Sequence, residues 1–444
     1  MSKLVFGTDG VRGTVGADPM TVDFAMRLAS AAAQVLVPEG GTVVIGKDTR
    51  LSGYMFESAL EAGFVAAGAD VLLIGPLPTP GIAQLTQQFE ADLGVVISAS
   101  HNPYDDNGIK FFDRSGSKLS DDVEHEIETQ LKYPAITRES RKLGKAKRID
   151  TARIRYQEFC ASTFPEGLSL EGVKLVFDGA NGAGYKVGPR TLANLGAEVI
   201  PIGCSPNGLN INDGCGSTCP ELLQLTVPAV KADVGLALDG DGDRVVMVDA
   251  EGKLIDGDQM LYVLATARQR DGRLKGPVVG TVMSNLGLER ALNKAKIDFC
   301  RVSVGDRYVL EKLKETGGII GGETSGHMIV LDQTTTGDGL VCALQVLAVM
   351  KQTGKSLSEL VSGMPKYPQT MLNVRTDKRF DPDASSAVKA AVVAAEEELA
   401  DAGRVVLRAS GTEPVIRVMV EGEDEDQVIA VAKRLAEVVA EAAI

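Results

Sequence analysis

The chain has 444 residues, 44% of them hydrophobic and 24% charged, with a formal net charge of −14. That length exceeds what one hydrophobic core supports and suggests roughly three domains, while the acidic balance excludes nucleic acid as the main partner, because phosphate-backbone binding needs a basic surface. No run approaches the ~20 apolar residues of a membrane helix, and the opening MSKLVFGTDG lacks the apolar centre of a signal peptide, so a cytoplasmic protein with no membrane partner is expected.

Residues 1–150 alternate strand and helix signals in the manner of a parallel α/β unit. Near the start, FGTDGVRG (6–13) crowds Asp9, Arg12 and three glycines into what reads as a loop whose backbone approaches an anion. TVVIG (42–46) reads as a strand, 52–68 as a helix, DVLLIG (70–75) as a strand, and a helix opens at Pro80. The stretch from Gly41 to Thr49 nearly fits phosphate-loop spacing. It is rejected because TVVI is strand-like and Asp48 stands where a magnesium-binding hydroxyl is needed. The strand that starts at Gly94 stops abruptly at Ser100, His101, Asn102 and Pro103, and proline cannot continue a ladder. Ser100 is thereby presented at a strand's C-terminal edge, where open α/β sheets place their ligands. Residues 121–150 are charge-rich and read as a helix and linker, with a domain boundary near 150.

The second unit, 151–252, repeats the pattern with VKLVFD (173–178), the loop GANGAG, EVIPIG (198–203) and a strand running through VGLALDGDGDRVVMVD. Asp239, Asp241 and Asp243 stand at alternate positions, with glycines between them that let the backbone curl. Hard oxygen donors of this kind suit Mg²⁺, and three crowded carboxylates repel one another without a cation. An EF-hand is excluded by Arg244 and Ala250 at its glycine and glutamate positions.

The third unit, 253–366, contains PVVGTVM (277–283), FCRVSV (299–304), GGIIGGETSGH and a helix after Gly337. Glu323 and Ser325 can bind hydroxyl or amino groups, and His327 can meet a phosphate or move a proton. Pro365 and Pro368 mark a linker. The last part, 367–444, reads as a small α+β domain: strand QTMLNV, a helix, the hairpin-like RVVLRASGTEPVIRVMVEG, and a terminal helix with Val428, Ala432, Leu435 and Val439 on one face. Arg408, Ser410, Gly411, Thr412 and Arg417 form a candidate phosphate nest. The six cysteines are scattered with no Cys-x-x-Cys and only three histidines in the chain, which argues against zinc.

The set FGTDGVRG, SASHNP, DGDGDR, GGETSGH and RASGTEP, in this order over nearly the whole chain, resembles the α-D-phosphohexomutase superfamily. FGTDGVRG, GLNINDGCGST (208–218) and TTTGDG (334–339) point to its bacterial glucosamine-phosphate branch over phosphomannomutases and phosphoglucomutases. One departure is Thr324, where that branch usually has Gln, which bears on sugar preference. The resemblance implies three mixed or parallel α/β domains of related topology plus a C-terminal α+β domain around one central cleft. It also implies an isomerase that interconverts glucosamine 6-phosphate and glucosamine 1-phosphate, on the route to UDP-N-acetylglucosamine and cell-wall precursors.

In that scheme Ser100 is a phosphoserine, and Ser100 with Asp239, Asp241 and Asp243 holds one Mg²⁺ per site. Arg12, Lys110 and Arg244 balance the charge. Lys110, His101 and His327 are the candidate proton carriers, while Glu323 and Ser325 hold the sugar and the last domain grips the other phosphate. Glucosamine 1,6-bisphosphate is the primer, an activating kinase or a bisphosphate donor first charges Ser100, and a homodimer stays open. Two alternatives remain at this point: the same chemistry on phosphomannose or phosphoglucose, and an aspartyl-phosphate phosphotransferase using Asp239, since LALDGDGD nearly matches the strand-DxD pattern.

Overall fold

The computed structural model describes residues 6–7, 9–376, 380–409 and 414–443. Four sheets follow one another along the chain. The first is built from β1 (Val11–Thr14), β2 (Thr42–Lys47), β3 (Asp70–Pro76), β4 (Leu93–Ile97), β5 (Asp106–Asp113) and β6 (Ala146–Arg148), in the order β1-β5-β4-β2-β3-β6. The second comprises β7 (Lys174–Asp178), β8 (Glu198–Ile202), β9 (Val234–Leu238), β10 (Val245–Asp249) and β11 (Leu254–Ile255), ordered β11-β10-β9-β7-β8. β12 (Val278–Thr281), β13 (Phe299–Val302), β14 (Ile320–Gly322) and β15 (Met328–Val330) make the third, ordered β13-β12-β14-β15.

One motif recurs in these three sheets. Three parallel strands are joined by helices, and the third strand then turns back on itself as an antiparallel partner: β4 to β5, β9 to β10, β14 to β15. Each of these hairpin connections carries a candidate functional loop, with Ser100 in the first, the three aspartates in the second and Glu323 to His327 in the third. The feeding strands β4 and β9 are buried at every position. Each buried Val, Leu or Ile contributes about 1.5–3 kcal/mol, so the loops start from rigid ground.

Four sequence expectations need correction. The first unit is mixed, because β1 and β5 run antiparallel to their neighbours. Part of the expected loop 6–13 is strand β1, and β6 extends the first sheet parallel to β3 within the expected linker. VGLALDGDGDRVVMVD is two antiparallel strands, since its glycine-separated aspartates form the turn between them.

The fourth sheet, β16 (Gln369–Arg375), β17 (Gly403–Ala409) and β18 (Val415–Gly422), is antiparallel, ordered β16-β18-β17. It has its own core, to which the terminal helix Glu425–Ala442 gives Val428, Val431, Ala432, Leu435 and Val439. A single apolar cluster instead links the first three units, from Val44 to Met364. All six cysteines are free thiols, and among the described residues no helix is long and apolar enough to cross a membrane.

Candidate active site

Ser100 is 1% exposed, and its hydroxyl donates to Asp239 Oδ2 at 2.6 Å, across the boundary between the first two units. The His101 ring nitrogen Nδ1 lies 3.3 Å from Ser100 Oγ. Asp239, Asp241 and Asp243 are buried, with carboxylate oxygens within 4.8 Å of one another. Burial, then Asp243 and Asp241, push the Asp239 carboxyl well above its ordinary range. Asp241 goes the other way. Burial raises its pKa, but Lys110 and the Thr79 hydroxyl, at 2.9 and 2.7 Å, outweigh it and hold the group ionised.

One oxygen on each of Asp241 and Asp243 is buried with no hydrogen-bond partner among the described residues. An orphaned buried carboxylate oxygen is costly, and three hard oxygen donors converging on one point fit a divalent cation such as Mg²⁺.

The cations stand around this cluster. Lys110, on β5 and 2% exposed, reaches Asp241 and Asp9 at 2.9 Å each and Asp243 at 3.9 Å. Arg12, on β1, pairs with Asp9 and donates to the Ala99 carbonyl at 3.3 Å. Arg244 lies 3.9 Å from Asp243 through Nε, and its backbone N–H donates to Asp239 Oδ1 at 3.1 Å. His327 bridges Asp243 at 3.6 Å and Asp306 at 3.5 Å. Burial works against its protonation, but Asp243 and Asp306 prevail and raise its pKa to about 9. His101 is the opposite case: burial, then Arg244 and Arg12, lower it to about 4.

Glu323 accepts from the Gly305 backbone N–H at 2.9 Å, and Ser325 is exposed. Arg408 and Arg417 face each other across the β17–β18 pair. Burial, then Arg417, lower the Arg408 pKa, Glu323 opposes them, and Arg408 Nε is buried without a hydrogen-bond partner among the described residues. Two opposed guanidinium groups repel unless an anion lies between them, which suits phosphate. Ser410, Gly411 and Thr412 lie outside the described residues.

Several contributors carried no assigned role in the sequence. Asp9 gathers Arg12, Lys110 and Lys118, and these cations outweigh burial to depress its pKa. Lys118 then reaches Asp306 at 2.6 Å, tying the first unit to the third. TTTGDG is explained by packing. Asp338 caps the helix Gly339–Thr353 and accepts from the Tyr156 hydroxyl at 2.8 Å, while a side chain on Gly337 would collide with the His327 ring.

Thr324, the departure in the sugar loop, donates its hydroxyl to buried Asp258 at 2.8 Å, and the Asn285 N–H donates to the same oxygen at 2.9 Å. Burial, then Asp256, push the Asp258 carboxyl from 3.8 up to about 7. The folded state therefore binds this proton more tightly than the unfolded chain. The stability it brings is full below the unfolded pKa and is lost as pH rises through about 7. Asp258→Asn is expected to flatten the fall in melting temperature over that window, and thermal melts across the pH range check it.

Models of the phosphoglucomutase/phosphomannomutase α/β/α domains I, II and III match residues 3–135, 155–252 and 256–367, and that of the C-terminal domain matches 371–438. The chain belongs to the phosphoglucomutase/phosphomannomutase family, and is thus a phosphohexomutase, an isomerase that works by phosphoryl transfer. Its curated relatives include the phosphoglucosamine mutase of Aeromonas hydrophila subsp. hydrophila, 59% identical over 438 residues, which cover 98% of this chain and 99% of the relative. The phosphoglucosamine mutase of Photorhabdus laumondii subsp. laumondii is 56% identical over 439 residues, 99% of each chain.

Among solved structures, a phosphoglucomutase/phosphomannomutase family protein from Burkholderia thailandensis superposes with a TM-score of 0.82 at 24% identity, over 100% of this chain and 98% of that one. Aspergillus fumigatus N-acetylphosphoglucosamine mutase, solved in complex with GlcNAc-6P and magnesium, gives 0.72 at 18% identity, over 99% and 96% of the two chains.

Proposed function

We propose that the chain interconverts glucosamine 6-phosphate and glucosamine 1-phosphate, with Ser100 as the phosphoryl carrier and glucosamine 1,6-bisphosphate as intermediate and primer. The contact of Ser100 with Asp239, inside a ring of cations, is the observation that carries this reading. Full-length relatives named phosphoglucosamine mutase support the choice of sugar.

Mg²⁺ held by Asp239, Asp241, Asp243 and the group on Ser100 would supply charge neutralisation at the phosphoryl oxygens. Phosphoserine carries about −2 near neutral pH, so that cluster sums to about −3, and an anionic substrate would be repelled. Arg12, Lys110 and Arg244 offset this charge and stabilise the loose transition state, in which positioning and electrostatics dominate.

The bond from phosphorus to Ser100 Oγ breaks as one forms to the free sugar hydroxyl, and the bisphosphate turns end for end before the other phosphoryl group returns. Glu323 and Ser325 bind the sugar in both orientations, and Arg408, Ser410, Gly411, Thr412 and Arg417 grip the phosphate that is not reacting. Of the proton carriers, His101 is held neutral at neutral pH, while His327 and Lys110 hold their protons. Lys110 and His327 are thus the protonated groups beside the aspartates, and His101 is the neutral imidazole 3.3 Å from Ser100 Oγ. A loose transition state asks little of a base, because the attacking hydroxyl gives up its proton late, and over the whole step that proton ends on Ser100 Oγ, directly or by relay.

The rival nucleophile Asp239 is disfavoured because both its oxygens accept hydrogen bonds, from Ser100 and from the Arg244 N–H. Comparison of kcat/KM on the three sugars tests the reading. Glucosamine phosphate should lead glucose and mannose phosphates by at least ~10-fold, and a lead for either of the others would overturn it.

A further inference from the structure

The stretch GLNINDGCGST, 208–218, has no part in the chemistry above, yet one of its residues reaches the carrier loop. Ser100 has φ +52°, a left-handed conformation that costs a non-glycine residue about 1–2 kcal/mol and persists only where the surroundings enforce it. Its amide donates to Ser98 Oγ at 3.0 Å. Its carbonyl accepts from Arg50, of the same unit, at 3.3 Å and from Asn212 Nδ2, of the second unit, at 2.9 Å.

The Asn212 amide also donates to the Asn102 carbonyl at 3.0 Å, so its NH₂ group spans both ends of the turn that presents the serine. The opposite amide orientation would aim Oδ1 at two carbonyl oxygens, which fixes the assignment. Gly240 of the metal loop packs on the same point: a Cβ there would lie 2.5 Å from the Ser100 carbonyl oxygen and 2.7 Å from Asn212 Nδ2.

Asn212 is itself held firmly. Its N–H donates to the Ala180 carbonyl at 2.8 Å, and farther along the stretch Ser217 N–H donates to Leu238, the last residue of β9, at 2.9 Å. The strand that feeds the three aspartates and the residue that grips the serine loop thus share one frame.

We propose that Asn212 is a positioning residue for phosphoryl transfer: through the Ser100 and Asn102 carbonyls it fixes the serine loop of the first unit against the metal loop of the second. It touches neither substrate nor the reacting atoms. Its loss should slow transfer without weakening sugar binding, because a displacement of about 1 Å at a reacting atom costs ~10²-fold.

The inference rests on Ser100 as the carrier, and the experiment separates the two claims. Dephosphorylated enzyme is mixed with Mg²⁺ and glucosamine 1,6-bisphosphate. A sugar O–P bond breaks, a bond to Ser100 Oγ forms, the hydroxyl proton passes to the released sugar oxygen, and intact mass follows the phosphoryl gain. Wild type that gains no phosphoryl group on Ser100 would overturn the carrier reading itself.

With wild type charging, Asn212→Ala should charge ~10- to 100-fold more slowly, with kcat lowered in step and KM for glucosamine 6-phosphate within about 2-fold. Asn212→Asp has the same shape but sets carboxylate oxygens against two carbonyls, so it should charge more slowly still, and it serves if the alanine variant fails to fold. Wild-type charging rates in a folded variant, or a loss confined to KM, would overturn the role of Asn212. So would a slowing that merely tracks the fraction unfolded by circular dichroism.

Discussion

Ser100→Ala is expected to lower mutase turnover by at least ~10⁴-fold, the scale of removing a covalent carrier, while the variant still folds. The serine follows a fully buried strand, but its hydroxyl packs against no apolar core; its contacts are Asp239 and His101. Loss of the hydroxyl removes one donor from Asp239, whose other oxygen keeps the Arg244 N–H. That costs about 1–3 kcal/mol, so the melting temperature should fall by only a few degrees.

Alanine is no better suited than serine to φ +52°. Ser100→Gly removes that strain and should be equally inactive, which separates loss of the carrier from distortion of the loop. Intact mass spectrometry completes the test, since neither variant should gain a phosphoryl group from the bisphosphate. Full turnover in Ser100→Ala, or a hydroxylamine-labile acyl phosphate on Asp239 in the wild type, would overturn the carrier assignment.

The three functional loops were legible for a common reason. Each follows a run of apolar or glycine residues that can only be a buried strand, and each ends that run with Gly, Pro or several polar groups at once. The antiparallel return strands were not legible, because β5 and β10 acquire their direction only by pairing with the strand before them. Residues that act through the fold also escaped. Lys118 follows an ordinary polar turn, and its partner Asp306 is 188 positions away. Arg50 and Asn212 converge on one carbonyl from separate units, and nothing in their local sequence signals it. The bond from the Thr324 hydroxyl to Asp258, 66 positions away and beneath the loop, was hidden in the same way.

The second large effect concerns Lys110. Its ammonium is 2% exposed and lies against Asp9 and Asp241 at 2.9 Å and Asp243 at 3.9 Å. Lys110→Met preserves the length of the side chain and removes the charge, leaving the Asp241 carboxylate with the Thr79 hydroxyl as its one hydrogen-bond partner among the described residues. Breaking a buried ion pair from one side costs about 3–5 kcal/mol, a large part of the ~5–15 kcal/mol that holds a domain together.

Burial raises the Asp241 pKa and Lys110 is the first influence that brings it down. In the wild type that depressed pKa contributes stability above the unfolded value, lost as pH falls through the folded one. Without Lys110 this contribution should shrink, and the variant should lose less of its remaining stability on acidification than the wild type does. Mg²⁺ would meet the same carboxylates, so it should raise the melting temperature of Lys110→Met by several degrees more than that of the wild type. Turnover should nonetheless stay ~10²-fold or more below wild type at saturating Mg²⁺, because the phosphoryl oxygens lose a fixed donor that the metal does not replace. Equal Mg²⁺ shifts in the two proteins would mean that the lysine and the metal do not share the aspartates. Wild-type turnover would mean that Arg12 and Arg244 suffice to balance the charge.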